Sequence, residues 1–329
     1  MTFSRTFQLA PFLLSVWLVA GPAALPKKPA ALAAAPAPAG LTTMPRRYEV
    51  TYRFEAPAGE TVRWWIPLIQ TAPAQTLERR SVAAPAGAEF AWDPLFGNPL
   101  LSGRGGGTVE VTTVLTRAEQ SARPAVLSGE ERALYLRAEK KVTLSPRVRA
   151  LAARQSRGRR GTLAKARALF DYTVAVMRYD KTVPGWGEGD TERACDLKAG
   201  NCTDFHSLFI SLARAAGIPA RFVMGWPIPP GKSEGEIAGY HCWAEFFDER
   251  LGWVPVDASE SAKHPEQTEY LFGRLDSGRV ALSIGRDIPL RTAAGEPVNY
   301  LLRPVVEIDG VRAEPAPALS VRFKELAAE

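Results

Sequence analysis

From Arg46 to about residue 145, apolar and polar positions alternate with a period near two. The segments RRYEVTYRFEA (46–56), ETVRWWIPLI (60–69), GAEFAWDPLF (87–96), GTVEVTTVLTRAE (107–119) and ALYLRAEKKV (133–142) are rich in Val, Thr, Tyr and Trp and are set off by Pro and Gly. Alternation of this kind puts one face of a strand on a core and the other in solvent, so the region reads as all-β, a small sandwich over 46–145. The glycines at 103–107 lack the Lys-Ser/Thr of a phosphate-binding loop and read as a turn.

The period then changes. Leu163, Ala166, Leu169, Phe170, Val174 and Met177 recur at helical spacing after breaks at Gly158 and Gly161, which predicts a helix ending near Tyr179. The arginines between 147 and 160 read as a solvated face. A second helix is predicted over 203–216, where Phe205, Leu208, Phe209, Leu212 and Ala216 share a face, Asp204 lies in the first turn and Gly217 stops the run. Alternation returns in YHCWAEFFDERLGWVPVDAS (240–259), two strands joined by a polar turn at DERLG.

These elements place three reactive residue types. Cys202 falls at or just before a helix N-terminus, where unpaired backbone N–H groups and the helix dipole favour a thiolate and offer donors to an oxyanion. If Phe247 pairs with Trp253, then Trp243 lies opposite Asp257 and His241 opposite Ser259. All four then share one face, with Asp257 diagonal to His241 and able to accept an imidazole N–H. A slip of one residue breaks that arrangement. His206, four residues past Cys202 on one helix, is held parallel to it and reads as packing or outer support; His264 reads as a loop residue. Taken singly, a cysteine is a core residue, a strand histidine a structural one and an aspartate a turn cap. Their arrival in the order Cys, His, Asp at element ends points to a shared site.

Composition bounds the setting. The chain has 329 residues, 41 basic and 35 acidic, a net charge of +6. It is long enough for two domains, and the charge excess is too diffuse to indicate nucleic acid. The apolar run from Phe7 to Ala20, with Arg5 before it and small residues at Gly21 and Ala23, reads as a signal peptide over 1–24 cleaved near Ala23 or Ala24, and hence export to the periplasm or the exterior. Contact with a membrane surface is expected only if that segment stays attached. Residues 25–45 form an Ala/Pro-rich linker. Three cysteines is an odd number for an exported chain; a bond between Cys195 and Cys242 leaves Cys202 as a thiol.

GNCTDFHSLFISLARAAGIPARFVMGW, GYHCWAEFF and GWVPVDAS, in that order across roughly 190–260, resemble the transglutaminase-like superfamily of papain-related cysteine enzymes. The resemblance implies an α+β fold: a papain-like core over 146–262, its nucleophile helix packed on an antiparallel sheet, a C-terminal β extension of that core over 263–329, and the β domain in front. It implies Cys202 as nucleophile, His241 as base and acid, and Asp257 as the group orienting the imidazole. The chemistry implied is acyl transfer on peptide or protein amides through a thioester. The Cys202 N–H is one oxyanion donor, and Trp186 or Tyr179 is a candidate for the second, with Trp243 as support. No cofactor or metal is implied, since no Asp-rich loop has calcium-ligand spacing. Hydrolysis is preferred because an exported enzyme meets abundant water and few amine donors. The alternatives are protein-glutamine crosslinking and a non-enzymatic envelope protein whose β domain binds a partner. The oligomeric state and the acyl substrate are not specified by sequence.

Overall fold

A computed structural model describes residues 37–38, 41–293 and 295–327. The expected signal segment and most of the 25–45 linker lie outside the described residues. Among the described residues no helix is long and apolar enough to cross a membrane.

Two five-stranded antiparallel sheets build the β region. One runs in the order Glu234–Glu236, Ser320–Leu326, Arg46–Ala56, Gly107–Arg117, Gln75–Ala83; the other in the order Val311–Arg312, Val305–Ile308, Arg63–Pro67, Pro99–Arg104, Glu89–Trp92. Tyr48, Val50, Tyr52 and Phe54 alternate inward along the first strand, and Phe54 meets Trp64 of the other sheet edge-on with ring centroids 5.7 Å apart. Each such side chain contributes about 1.5–3 kcal/mol when fully buried, which fixes the register.

Two expectations differ here. ALYLRAEKKV opens inside a helix, Gly129–Leu136, because Ser128 and Glu131 form a reciprocal capping box ahead of it. The C-terminal segment does not extend the core as one piece: strand Arg279–Ile284 joins the core sheet, whereas Val305–Ile308 pairs with Arg63–Pro67 and Ser320–Leu326 pairs with Arg46–Ala56. The late strands find unpaired edges in the β sheets that the first strands leave open.

The core sheet is antiparallel, in the order Gly252–Val256, His241–Asp248, Ala220–Pro227, Arg279–Ile284. The predicted pairing of Phe247 with Trp253 is present, followed by Ala244 with Val256. Against this sheet lies the helix Cys202–Ala215, with Phe205, Leu208, Phe209 and Leu212 all buried. A helix at Thr162–Val176 packs beside it, Phe170 meeting Phe209 edge-on. Tyr52 of the β region packs on Trp226 of the core sheet at 5.2 Å between centroids, so one apolar core runs through both. The linker's last residues are ordered before Arg46: the Thr42 carbonyl accepts from both the N–H and the hydroxyl of Ser277.

Candidate active site

Asn201 caps the central helix, its side chain accepting from the Thr203 N–H, and Asp204 returns a bond to the Asn201 N–H. The Asp204 carboxylate also accepts from the N–H groups of Gly187 and Gly189, at 2.8 and 3.0 Å, tying that loop to the helix start. Gly189 has φ +64°, and a Cβ there meets Ser207 Oγ at 2.5 Å. Cys202 is therefore the first helical residue, with amides beneath it that have no intrahelical partner.

His241 opens its strand and Asp257 ends the facing one. His241 Nε2 lies 2.6 Å from Asp257 Oδ2, so the imidazole donates there; its Nδ1 lies 3.8 Å from Glu260 Oε1, and the ring is within hydrogen-bond reach of the Cys202 sulfur. Asp257 also receives Arg279 Nη1 at 2.6 Å, and its Oδ1 accepts from Ser259 Oγ and from the Glu260 N–H. Ser259 sits in the short helix Ala258–Lys263 capped by Asp257, not on a continued strand, because the carboxylate captures the amides that follow it. Every oxygen of this buried carboxylate is thus paired, which is what lets a charge persist at 0% exposure.

The electrostatics follow from these contacts. Burial opposes charge on Asp257, but the His241 charge, the His241 hydrogen bond and Arg279 hold its carboxyl well below the usual range. Burial likewise opposes charge on His241, yet Asp257 and a hydrogen bond to the Cys202 sulfur push it up to about 10. Cys202 is buried, which disfavours its thiolate, and hydrogen bonds from Cys242 and His241 with the His241 charge bring it well below an ordinary thiol. Both shifts favour a thiolate on Cys202 facing an imidazolium on His241.

The remaining predicted residues separate by role. His206 is wholly buried; its Nε2 accepts from the Ala258 N–H at 3.1 Å and its Nδ1 lies 3.7 Å from Cys242 Sγ. Cys195, Cys202 and Cys242 are all free of disulfides, so the Cys195–Cys242 bond is not formed; the Cys242 side chain lies against the Cys202 sulfur instead, and burial and the Cys202 sulfur push its thiol up. Trp243 packs among Val223, Tyr270, Leu271 and Leu275, with the Arg279 guanidinium 5.9 Å from its ring centroid. It backs the arginine and not the Cys202 thiol. Tyr179 lines a cavity of about 380 Å³ onto which His241 opens, with Pro227, Ile228 and Pro230 of the segment before His241. Trp186 lines a separate groove and is 41% exposed.

Sequence reasoning passed over Arg279 and Tyr240. The Tyr240 hydroxyl accepts from Asn201 Nδ2 at 2.7 Å and lies 3.0 Å from Thr203 Oγ1, on either side of Cys202 in sequence. Adjacency to His241 was the available signal for Tyr240; for Arg279, separated by a loop and a strand crossing, there was none. Among the described residues His241, Asp257 and Glu260 have the donor atoms of a metal site, all within 4.8 Å. Arg279 and the imidazole N–H already occupy Asp257 Oδ2.

A helix-start thiol beside a strand-borne imidazole and carboxylate, on an antiparallel α+β core, defines the class of fold and site. Residues 149–258 match the transglutaminase-like superfamily. That segment is a transglutaminase-like domain, about a third of the chain. An uncharacterised protein of Haemophilus influenzae is 32% identical over 181 residues, covering 45% of this chain and 49% of its own length. The uncharacterised protein YebA of Bacillus subtilis is 29% identical over 139 residues, covering 38% of this chain and 19% of its own. The chain thus spans about half the length of the first relative and about a fifth of the second. A candidate cysteine protease from Cytophaga hutchinsonii superposes with a TM-score of 0.59 at 16% identity, over 87% of this chain and 92% of that one, which shows a shared fold. The periplasmic domain of TgpA from Pseudomonas aeruginosa matches with a TM-score of 0.39 at 18% identity, over 67% of this chain and 73% of that one.

Proposed function

We propose that the chain is an exported cysteine enzyme that hydrolyses peptide or protein amides through a Cys202 thioester. The observation that carries this reading is the 2.6 Å contact of His241 Nε2 with Asp257, behind a thiol at a helix start. The Cys202 sulfur attacks the amide carbonyl carbon, forming a C–S bond, and the carbonyl oxygen takes up the displaced electron pair. The Cys202 N–H and the Tyr240 hydroxyl are the donors for that oxyanion; Tyr240 takes the place expected of Trp186 or Tyr179, because its oxygen is already fixed by Asn201. Collapse breaks the C–N bond as His241 gives its Nδ1 proton to the departing amine. Water then attacks the thioester while His241 takes its proton, releasing the acid and regenerating the thiolate. Asp257 stays ionised and holds the imidazole in the tautomer this needs.

Export rests on the N-terminal apolar run. Hydrolysis is favoured over crosslinking because the cavity beside His241 pairs its charges internally, Glu260 with Lys263 and Asp276 with Arg279, and so presents no uncommitted acid to a substrate ammonium. The test is incubation with a glutamine-containing protein and a labelled primary amine. Hydrolytic release of ammonia or amine, lost in Cys202→Ala, is the expected result. Cys202-dependent incorporation of the label as the main product overturns hydrolysis in favour of crosslinking.

A further inference from the structure

The ring of Tyr240 stands between two hollows. On one side is the cavity onto which His241 opens; on the other is a groove of about 510 Å³ walled by Trp186, Gly187 and the segment 298–316. The groove falls within the roughly 300–1,000 Å³ typical of ligand sites. In the reaction proposed above, the group beside His241 is the departing amine, since His241 supplies its proton. The other side of Tyr240 then takes the acyl half of the substrate.

The groove has a definite chemistry. Trp186 is 41% exposed, yet the loop that carries it is held: Asp204 binds the amides of Gly187 and Gly189, and Tyr300 donates to the Gly187 carbonyl at 3.1 Å. Lys181 Nζ lies 5.7 Å from the centroid of the Trp186 indole, and the rest of its exposed surface, on a fixed loop, is a ready contact for another apolar ring. Tyr240, Tyr300, Leu302 and Pro304 continue that surface. Charge is uneven along it. Glu188 is engaged by Lys141 and Arg193, and Arg312 donates to the Glu296 carbonyl. Arg303, between Leu302 and Pro304 of that apolar surface, is exposed and makes no ion pair or hydrogen bond among the described residues; Glu314 is likewise exposed and unpaired among them, on the 312–316 part of the wall.

We infer that this groove is the acyl-side binding site, and that it selects peptides carrying an aromatic residue next to an acidic one on the N-terminal side of the attacked amide. The inference rests on the hydrolase reading for which half of the substrate lies there. It also assigns the β region a task. The far wall, around Val305, is the strand that pairs with Trp65 of the second β sheet, so the β region contributes one wall of the groove.

Binding of tetrapeptides to the full chain carrying Cys202→Ala, by calorimetry, tests this. Ac-Phe-Glu-Gln-Gly-NH₂ is expected to bind about tenfold tighter than Ac-Ala-Glu-Gln-Gly-NH₂ or Ac-Phe-Lys-Gln-Gly-NH₂. Adding Arg303→Glu reverses the Glu-over-Lys preference, Arg303→Lys retains it, and Trp186→Ala removes the preference for Phe; both residues are exposed, so the unfolding midpoint stays unchanged. Equal affinity for the three peptides, no binding of any, or preferences that survive both substitutions overturns the inference. Failure of the hydrolase reading is seen separately, as ordinary-thiol alkylation of Cys202 in the unsubstituted chain.

Discussion

His241 Nε2 and Asp257 Oδ2, 2.6 Å apart, are brought together by a hairpin whose last ladder pair is Ala244 with Val256. One residue beyond that pair the second strand stops, because Asp257 turns its carboxylate back to cap the next helix. One carboxylate therefore starts the helix through Oδ1 and holds the imidazole through Oδ2, so fold stability and site geometry are coupled at this residue.

Asp257→Ala leaves Arg279 and His241 facing a void and is expected to cost about 3–5 kcal/mol at pH 7. The Asp257 carboxyl titrates well below its ordinary range in the fold. Its contribution is therefore present above the unfolded-state pKa of about 3.9 and is lost as pH falls through the lower folded value. Urea unfolding at pH 7 and pH 3 checks this: the gap between the parent and the variant narrows in acid.

Gly189→Ala places a Cβ 2.5 Å from Ser207 Oγ and 2.6 Å from Arg286 Nη1, at φ +64°. A side chain in that conformation costs about 1–3 kcal/mol before the clash is added. Because the Gly189 N–H binds Asp204, the strain reaches the Asn201 cap. Thermal unfolding is expected several degrees lower, together with slower alkylation of Cys202. Gly217→Ala has φ +78° but no neighbour within 4 Å, and serves as the control that is strained without touching the site.

Thiol titration in denaturant, without reductant during purification, is expected to count all three cysteines, since Cys195, Cys202 and Cys242 are unpaired. A single thiol indicates the Cys195–Cys242 bond. Cys242→Ala also removes a hydrogen bond to the Cys202 sulfur, so the pH midpoint of Cys202 alkylation moves toward alkaline values.

The central site was legible because each part carries a local period. The helix face from Phe205 to Leu212 set Cys202 at the helix start, and strand alternation set the parity of His241 and Asp257 once the turn at DERLG was read correctly. What sequence did not reveal is long-range. Arg279 reaches Asp257 across 22 residues, and the strands at 305–326 return to sheets begun at 46–67. No local period encodes which open edge a late strand fills. The segment ALYLRAEKKV departs from its strand-like composition for a different reason: the Ser128–Glu131 capping box, upstream of it in sequence, starts a helix that runs into it.

The most direct measurement of the central claim is the second-order rate of iodoacetamide reaction at Cys202, mapped by peptide and followed from pH 5 to 10. Cys195 and Cys242 both have thiols raised by burial and serve as internal references. With the thiolate held by His241, the predicted rate at pH 6 lies within about threefold of that at pH 8, where an ordinary thiol loses almost 100-fold. His241→Ala is predicted to restore the ordinary slope. A Cys202 rate that rises with pH like that of an unperturbed thiol, unchanged by His241→Ala, contradicts an activated nucleophile at this site.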